Sequence, residues 1–99
     1  MTRETTATIA TWSRLTFGDV PLRLVAARAN QEMAELLVEV NGQKRKEKLA
    51  EECADIVIVL CRIANSFGYD LWSQVEAKMT TNRRREWHID PHTHLGQHK

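Results

Sequence analysis

The chain has 99 residues and a mass of 11.4 kDa, room for one compact domain, since a core and its cover take about 100 to 150 residues. Fourteen Lys and Arg against 13 Asp and Glu give a formal charge of +1, which withholds the positive field that drives nucleic-acid binding. With 42% hydrophobic and 27% charged residues the composition is globular, and no run approaches the roughly 18 apolar residues of a membrane span.

A single domain over 1–99 is therefore expected, with its core over about 12–87. The segment Met1 to Thr11 is threonine-rich and lacks an apolar h-region, so no signal peptide is visible, and it reads as a flexible arm. Gly18, Pro21, Gly42 and Gly68 punctuate the rest into three helical segments. From Leu22 to Val40 the apolar residues Leu22, Val25, Ala29, Met33, Leu36 and Val40 recur at helical steps. Asn41-Gly42 supplies a stop, and Lys44 to Lys46 open a second helix running to about Phe67.

Within that second helix, Ile56 to Leu60 would suit a strand by propensity. The helix-favouring Leu49-Ala50-Glu51-Glu52 before it and Cys61, Ile63 and Ala64 after it extend the pattern too far for one. The segment is apolar on nearly every side and should be buried on nearly every side. Asp70 can cap a third helix through about Arg85. Beyond it Trp87, Pro91 and the tail with His88, His92, His94 and His98 lose the pattern and read as a mobile terminus. The fold class is all-α, a helical bundle. Three helices offer too few neighbours to an all-round apolar segment, so oligomerisation is expected to complete it.

Two cysteines occur, Cys53 and Cys61. On one helix they stand about 12 Å apart, beyond disulfide reach, and read as small core residues of a protein in the cytoplasm.

The acidic residues carry the chemistry. Glu32 and Glu35 are three apart on one helix, and Glu52 and Asp55 are three apart on the next. Measured from a turn at Asn41 to Gln43, Glu35 and Glu52 lie about 9 to 14 Å along their helices, and Glu32 and Asp55 about 14 to 18 Å. An antiparallel hairpin brings the four to matching heights. Asp55, between Cys53-Ala54 and Ile56-Val57-Ile58, reads as a carboxylate in apolar surroundings, which is costly without a counter-charge. Oxygen-only ligands suit Mg²⁺, with Mn²⁺ as substitute. The competing reading is a solvated acidic face. Further on, Lys78, Asn82 and Arg85 recur at i, i+4 and i+7, a row able to hold a polyphosphate. A basic helix end suited to its dipole is the alternative. Trp12 and Trp87 flank the helical body as candidates to stack on a nucleobase, whereas Trp72 reads as core.

Glu32-x-x-Glu35, a spacer, Glu52-x-x-Asp55 and then Lys78-x-x-x-Asn82 together resemble the MazG-like all-α nucleoside triphosphate pyrophosphohydrolases, a likeness running from about Trp12 to Trp87. The opening Trp12-Ser13-x-x-Thr16-Phe17-Gly18 is similar to a branch, including phage enzymes, associated with dATP and dGTP. Relatives of that type often carry a His where this chain has Arg28. The resemblance implies that Glu32, Glu35, Glu52 and Asp55 hold Mg²⁺, that Lys78, Asn82 and Arg85 contact a triphosphate, and that the chain is a homodimer or homotetramer. It also implies hydrolysis to a monophosphate and pyrophosphate, with Glu35 or Glu52 taking the water's proton. The other class of function is a non-catalytic helical dimerisation or regulatory module, which accounts equally for the apolar second helix. Neither a nucleic-acid nor a membrane partner is expected.

Overall fold

A computed structural model describes residues 3–42 and 45–98, the last two of these by their backbone alone. Four helices follow one another: α1 (Thr6–Phe17), α2 (Leu22–Asn41), α3 (Lys46–Ser66) and α4 (Leu71–Arg84). A short antiparallel hairpin of β1 (Trp87–Ile89) and β2 (Gly96–His98) closes the chain. The all-α class is borne out, with this one small sheet added. Gln43 and Lys44, placed by the sequence in the interhelical turn and at the start of its second helix, lie outside the described residues.

The first correction concerns the arm, most of which is α1. Its start is a capping box in which the Thr5 hydroxyl accepts from the Thr8 amide at 3.1 Å, while the Thr5 amide donates to the Thr8 hydroxyl at 2.8 Å. Threonine here does the work usually given to Glu or Gln. Gly18 ends the helix at φ 80°, donating to the Arg14 carbonyl at 2.8 Å, a left-handed position that glycine occupies without steric cost. Thr6 is buried and accepts from the Leu71 amide at 2.9 Å, tying α1 to the start of α4.

α2 and α3 form the central pair, and the short link between them makes them antiparallel. α1 packs on α3, and α4 makes a smaller contact with α3. Asp70 caps α4 by accepting from the Ser73 amide at 2.9 Å, as its position foretold. That amide, with the Ser73 hydroxyl, holds the Asp70 carboxyl below its usual range.

The tail forms the β1–β2 hairpin. Asp90 Oδ1 accepts from the amides of His92 and Thr93 at 2.8 and 3.1 Å, an Asx turn that returns the chain into β2. The Trp87 indole donates to the Asn82 carbonyl at 2.8 Å and fastens the hairpin to the end of α4.

Burial within one chain is sparse. Among the described residues the buried hydrophobics are Ala10, Val25, Ile56 and Cys61. Leu37, Val38, Trp72 and Val75 are among 17 exposed large ones. The radius of gyration is 16.0 Å, against about 13 Å for a closed domain of this length. The second predicted helix, α3, is therefore not covered on all sides: Ile56 and Cys61 face inward, Leu60 is 38% exposed and Cys53 is exposed. Cys53 and Trp72 are not core residues of the single chain. Burial pushes the Cys61 thiol up, which keeps it a neutral packing group.

Candidate active site

The antiparallel α2–α3 pair brings three of the four predicted acids together. Glu32 of α2 and Glu52 and Asp55 of α3 each present a carboxylate oxygen within 4.8 Å of the other two. Glu35 is exposed and stands outside this group. Successive residues on a helix point about 100° apart, so Glu35, three positions on from Glu32, points about 60° away from it around α2.

The burial of these groups reverses the expectation. Glu32 and Glu52 are 5% and 6% exposed, whereas Asp55 is exposed. Its apolar sequence neighbours radiate around α3 instead of enclosing it, and its own side borders the acidic group and a cavity. The two buried acids have cations that the sequence reading overlooked. Arg28 Nη2 lies 2.7 Å from Glu32 Oε1, and Lys48 Nζ lies 3.3 Å from Glu52 Oε1. Both pairs are i, i+4 contacts on one helix, a spacing visible in the sequence. The hydrogen bond to Glu52, and then that carboxylate's charge, raises the Lys48 pKa.

This compensation is incomplete. Three carboxylates face two cations, and Asp55 makes no ion pair among the described residues. Glu52 Oε2 is buried without a hydrogen-bond partner, an arrangement that costs about 1–3 kcal/mol or more for a charged group. An unpaired buried oxygen, an uncompensated charge and an all-oxygen donor set fit a hard divalent cation.

Beside the acids lies a cavity of about 560 Å³ walled by α1, α2 and α3. Glu32 and Asp55 border it, and Trp12, Phe17, Leu24 and Ile58 contribute much of its apolar wall. Trp12 packs edge-on to Phe17, with ring centroids 5.6 Å apart at 87°, a favoured aromatic geometry that holds the indole in place. The Arg62 guanidinium, also on the wall, donates to the Gly18 carbonyl and fixes the α1–α2 connection. Trp12, predicted to flank the helical body, lines this cavity. Phe17 and the two arginines, Arg28 and Arg62, were not foreseen as lining residues. Arg28 and Phe17 carried a signal, lying one turn before Glu32 and within the Trp12 motif.

The remaining candidates are elsewhere. Lys78 is exposed on α4, and Asn82 is half-buried with Oδ1 lacking a partner. Arg85 lies past the end of α4 in extended backbone, so the row does not continue to it as a helical stripe. Neither these three nor Trp87 line the cavity.

No protein-family model matches the chain, and no curated protein matches it. Among solved structures it is similar to a cyanophage S-2L MazG-like pyrophosphohydrolase bound to dGDP and three catalytic Mn²⁺ ions per active site. The two share 26% identity and a TM-score of 0.72, over 95% of this chain and 92% of that one. With its four helices, and with acids from α2 and α3 gathered at one point, this chain has a MazG-like all-α fold.

Proposed function

We propose that the chain is a divalent-metal-dependent nucleoside triphosphate pyrophosphohydrolase acting on a purine deoxynucleotide such as dGTP or dATP. The observation that carries this reading is the meeting of Glu32, Glu52 and Asp55 at the edge of an aromatic-walled cavity. The dGDP and Mn²⁺ held by the cyanophage protein support it. The two ion pairs are what a purely structural acidic cluster would have, but such a cluster has no use for the unpaired Glu52 Oε2 or the adjoining cavity.

Glu32, Glu52 and Asp55 are the residues to hold Mg²⁺, or Mn²⁺ in its place. When bound, the cation offsets phosphate charge and acidifies water. The reaction adds water to the α phosphorus and breaks its bond to the α,β-bridging oxygen. The electron pair leaves with pyrophosphate, and the monophosphate keeps the water's oxygen. Of the two carboxylates proposed to accept the water's proton, Glu52 has the free buried oxygen, while Glu35 stands apart. Trp12 offers its face to the base. Lys78 and Arg85 are assigned to the charge of the pyrophosphate end and Asn82 to hydrogen bonding there. Trp87 is a second stacking surface.

The working unit is a homodimer or homotetramer. The 17 exposed large hydrophobics among the described residues support this, since leaving such side chains wet forfeits about 1.5–3 kcal/mol each. Sedimentation should return a multiple of the 11.4 kDa chain. The cytoplasm is the proposed compartment, and no helix among the described residues is long and apolar enough to cross a membrane. The test is incubation with Mg²⁺ and each dNTP and NTP in turn, reading pyrophosphate against orthophosphate. Pyrophosphate from a purine dNTP is expected. Its absence with every nucleotide, from folded protein, would overturn the proposal.

A further inference from the structure

We propose that Arg28 reads the base of the bound nucleotide and selects 6-oxopurines over 6-aminopurines; this rests on the nucleotide reading above. The cavity that takes the base is mostly apolar, and its polar lining side chains are Ser13, Arg28, Glu32, Asp55 and Arg62. Arg62 is engaged by the Gly18 carbonyl, and Glu32 and Asp55 belong to the acidic group. Each arginine thus has one nitrogen engaged, and Arg28 is the more exposed of the two on the cavity wall. Its side chain is 57% exposed and is held from one side by Glu32 at 2.7 Å through Nη2, which leaves the rest of its fork for a ligand.

A guanidinium donates and never accepts. Guanine and hypoxanthine present two acceptors, N7 and O6, along one edge, and a planar fork meets both. Adenine presents N7 beside the N6 amino group, so one N–H of the fork would face another donor. Such a bidentate contact discriminates by about 1–3 kcal/mol, or about 5- to 150-fold in affinity. A divalent cation held by Glu32 would compete for the carboxylate oxygen that anchors Arg28.

The test is calorimetric titration of the intact protein in Mn²⁺ with the α,β-methylene analogues of dGTP, dITP and dATP, which bind without turnover. Wild type should bind the dG and dI analogues alike and about 5- to 150-fold tighter than the dA analogue. Arg28→Ala should bring the three affinities together by weakening the 6-oxo pair. Arg28→Gln, whose amide can donate to N7 and accept from N6, should turn the preference towards adenine. Arg28→Lys, a point charge in place of a fork, should keep only part of the discrimination. Because uncovering Glu32 changes metal affinity equally for all three ligands, the ratio isolates base reading. A preference retained in Arg28→Ala, or in Arg28→Gln should the alanine variant fail to fold, would refute the role of Arg28 while leaving the nucleotide reading intact. Failure of wild type to bind any analogue would overturn both.

Discussion

Asp55→Asn should make the metal-free protein more stable and the metal-loaded one less so. Asp55 lies within 4.8 Å of both Glu32 and Glu52 yet has no ion pair among the described residues. Two unit charges at that separation repel by about 0.9 kcal/mol at the dielectric of water and about 3.5 kcal/mol at an effective dielectric of about 20. Asp55 is exposed, so the lower figure governs, and removing two such repulsions is worth about 1–2 kcal/mol at low ionic strength. For a chain of this length Tm should rise by about 4–8 °C per kcal/mol in chelator. Wild type should gain further on addition of Mn²⁺, because a ligand binding only the folded state stabilises it, and Asp55→Asn should gain much less. The assay is a thermal melt of both proteins with chelator and across a Mn²⁺ titration. A variant that melts at or below wild type in chelator would refute the charge crowding, and an unchanged metal shift would remove Asp55 from the ligand set.

Other consequences can be checked separately. Glu52→Gln should lower kcat by at least about 100-fold while leaving the helical circular dichroism intact; retained turnover would remove Glu52 from the chemistry. Lys48→Met strips the cation from Glu52, so its Tm in chelator should fall and its gain on adding Mn²⁺ should exceed that of wild type. Trp12→Ala should raise KM about 5- to 150-fold, the cost of losing about 1–3 kcal/mol of base stacking, with little change in kcat. Asp70 and Asp90 have carboxyl pKa values lowered by backbone amides, those of Ser73, and of Thr93 and then His92, respectively. Their contribution to stability is full above the ordinary value of 3.8 and is lost as pH falls through the lowered native values. Asp70→Asn should therefore flatten the acid limb of the stability curve measured by urea unfolding between pH 5 and pH 2.

The parts of the fold that follow from local rules were legible. The three- and four-residue steps from Leu22 to Val40, the Asn41-Gly42 stop and the Asp70 cap locate α2, α3 and α4 to within a few residues. α1 was hidden because its capping box uses Thr8 where Glu or Gln would have been the signal, and because threonine is a modest helix former. The hairpin was hidden because its turn depends on Asp90 accepting from amides two and three residues on, which composition does not reveal. At the site, helical spacing sufficed to bring Glu32, Glu52 and Asp55 together but not to exclude Glu35, which depends on how each helix is rotated toward the other. The environment of Asp55 was misjudged because chain neighbours were weighed in place of residues one turn away. The same oversight concealed Arg28 and Lys48, each four positions before the acid it pairs with.

Hydrolysis of dGTP in ¹⁸O-labelled water, with Mg²⁺ and mass analysis of both products, tests the central claim most directly. Attack by water on the α phosphorus at the Glu32, Glu52 and Asp55 site places the label in the monophosphate and leaves pyrophosphate unlabelled. Label in pyrophosphate, or release of orthophosphate in its place, would contradict it.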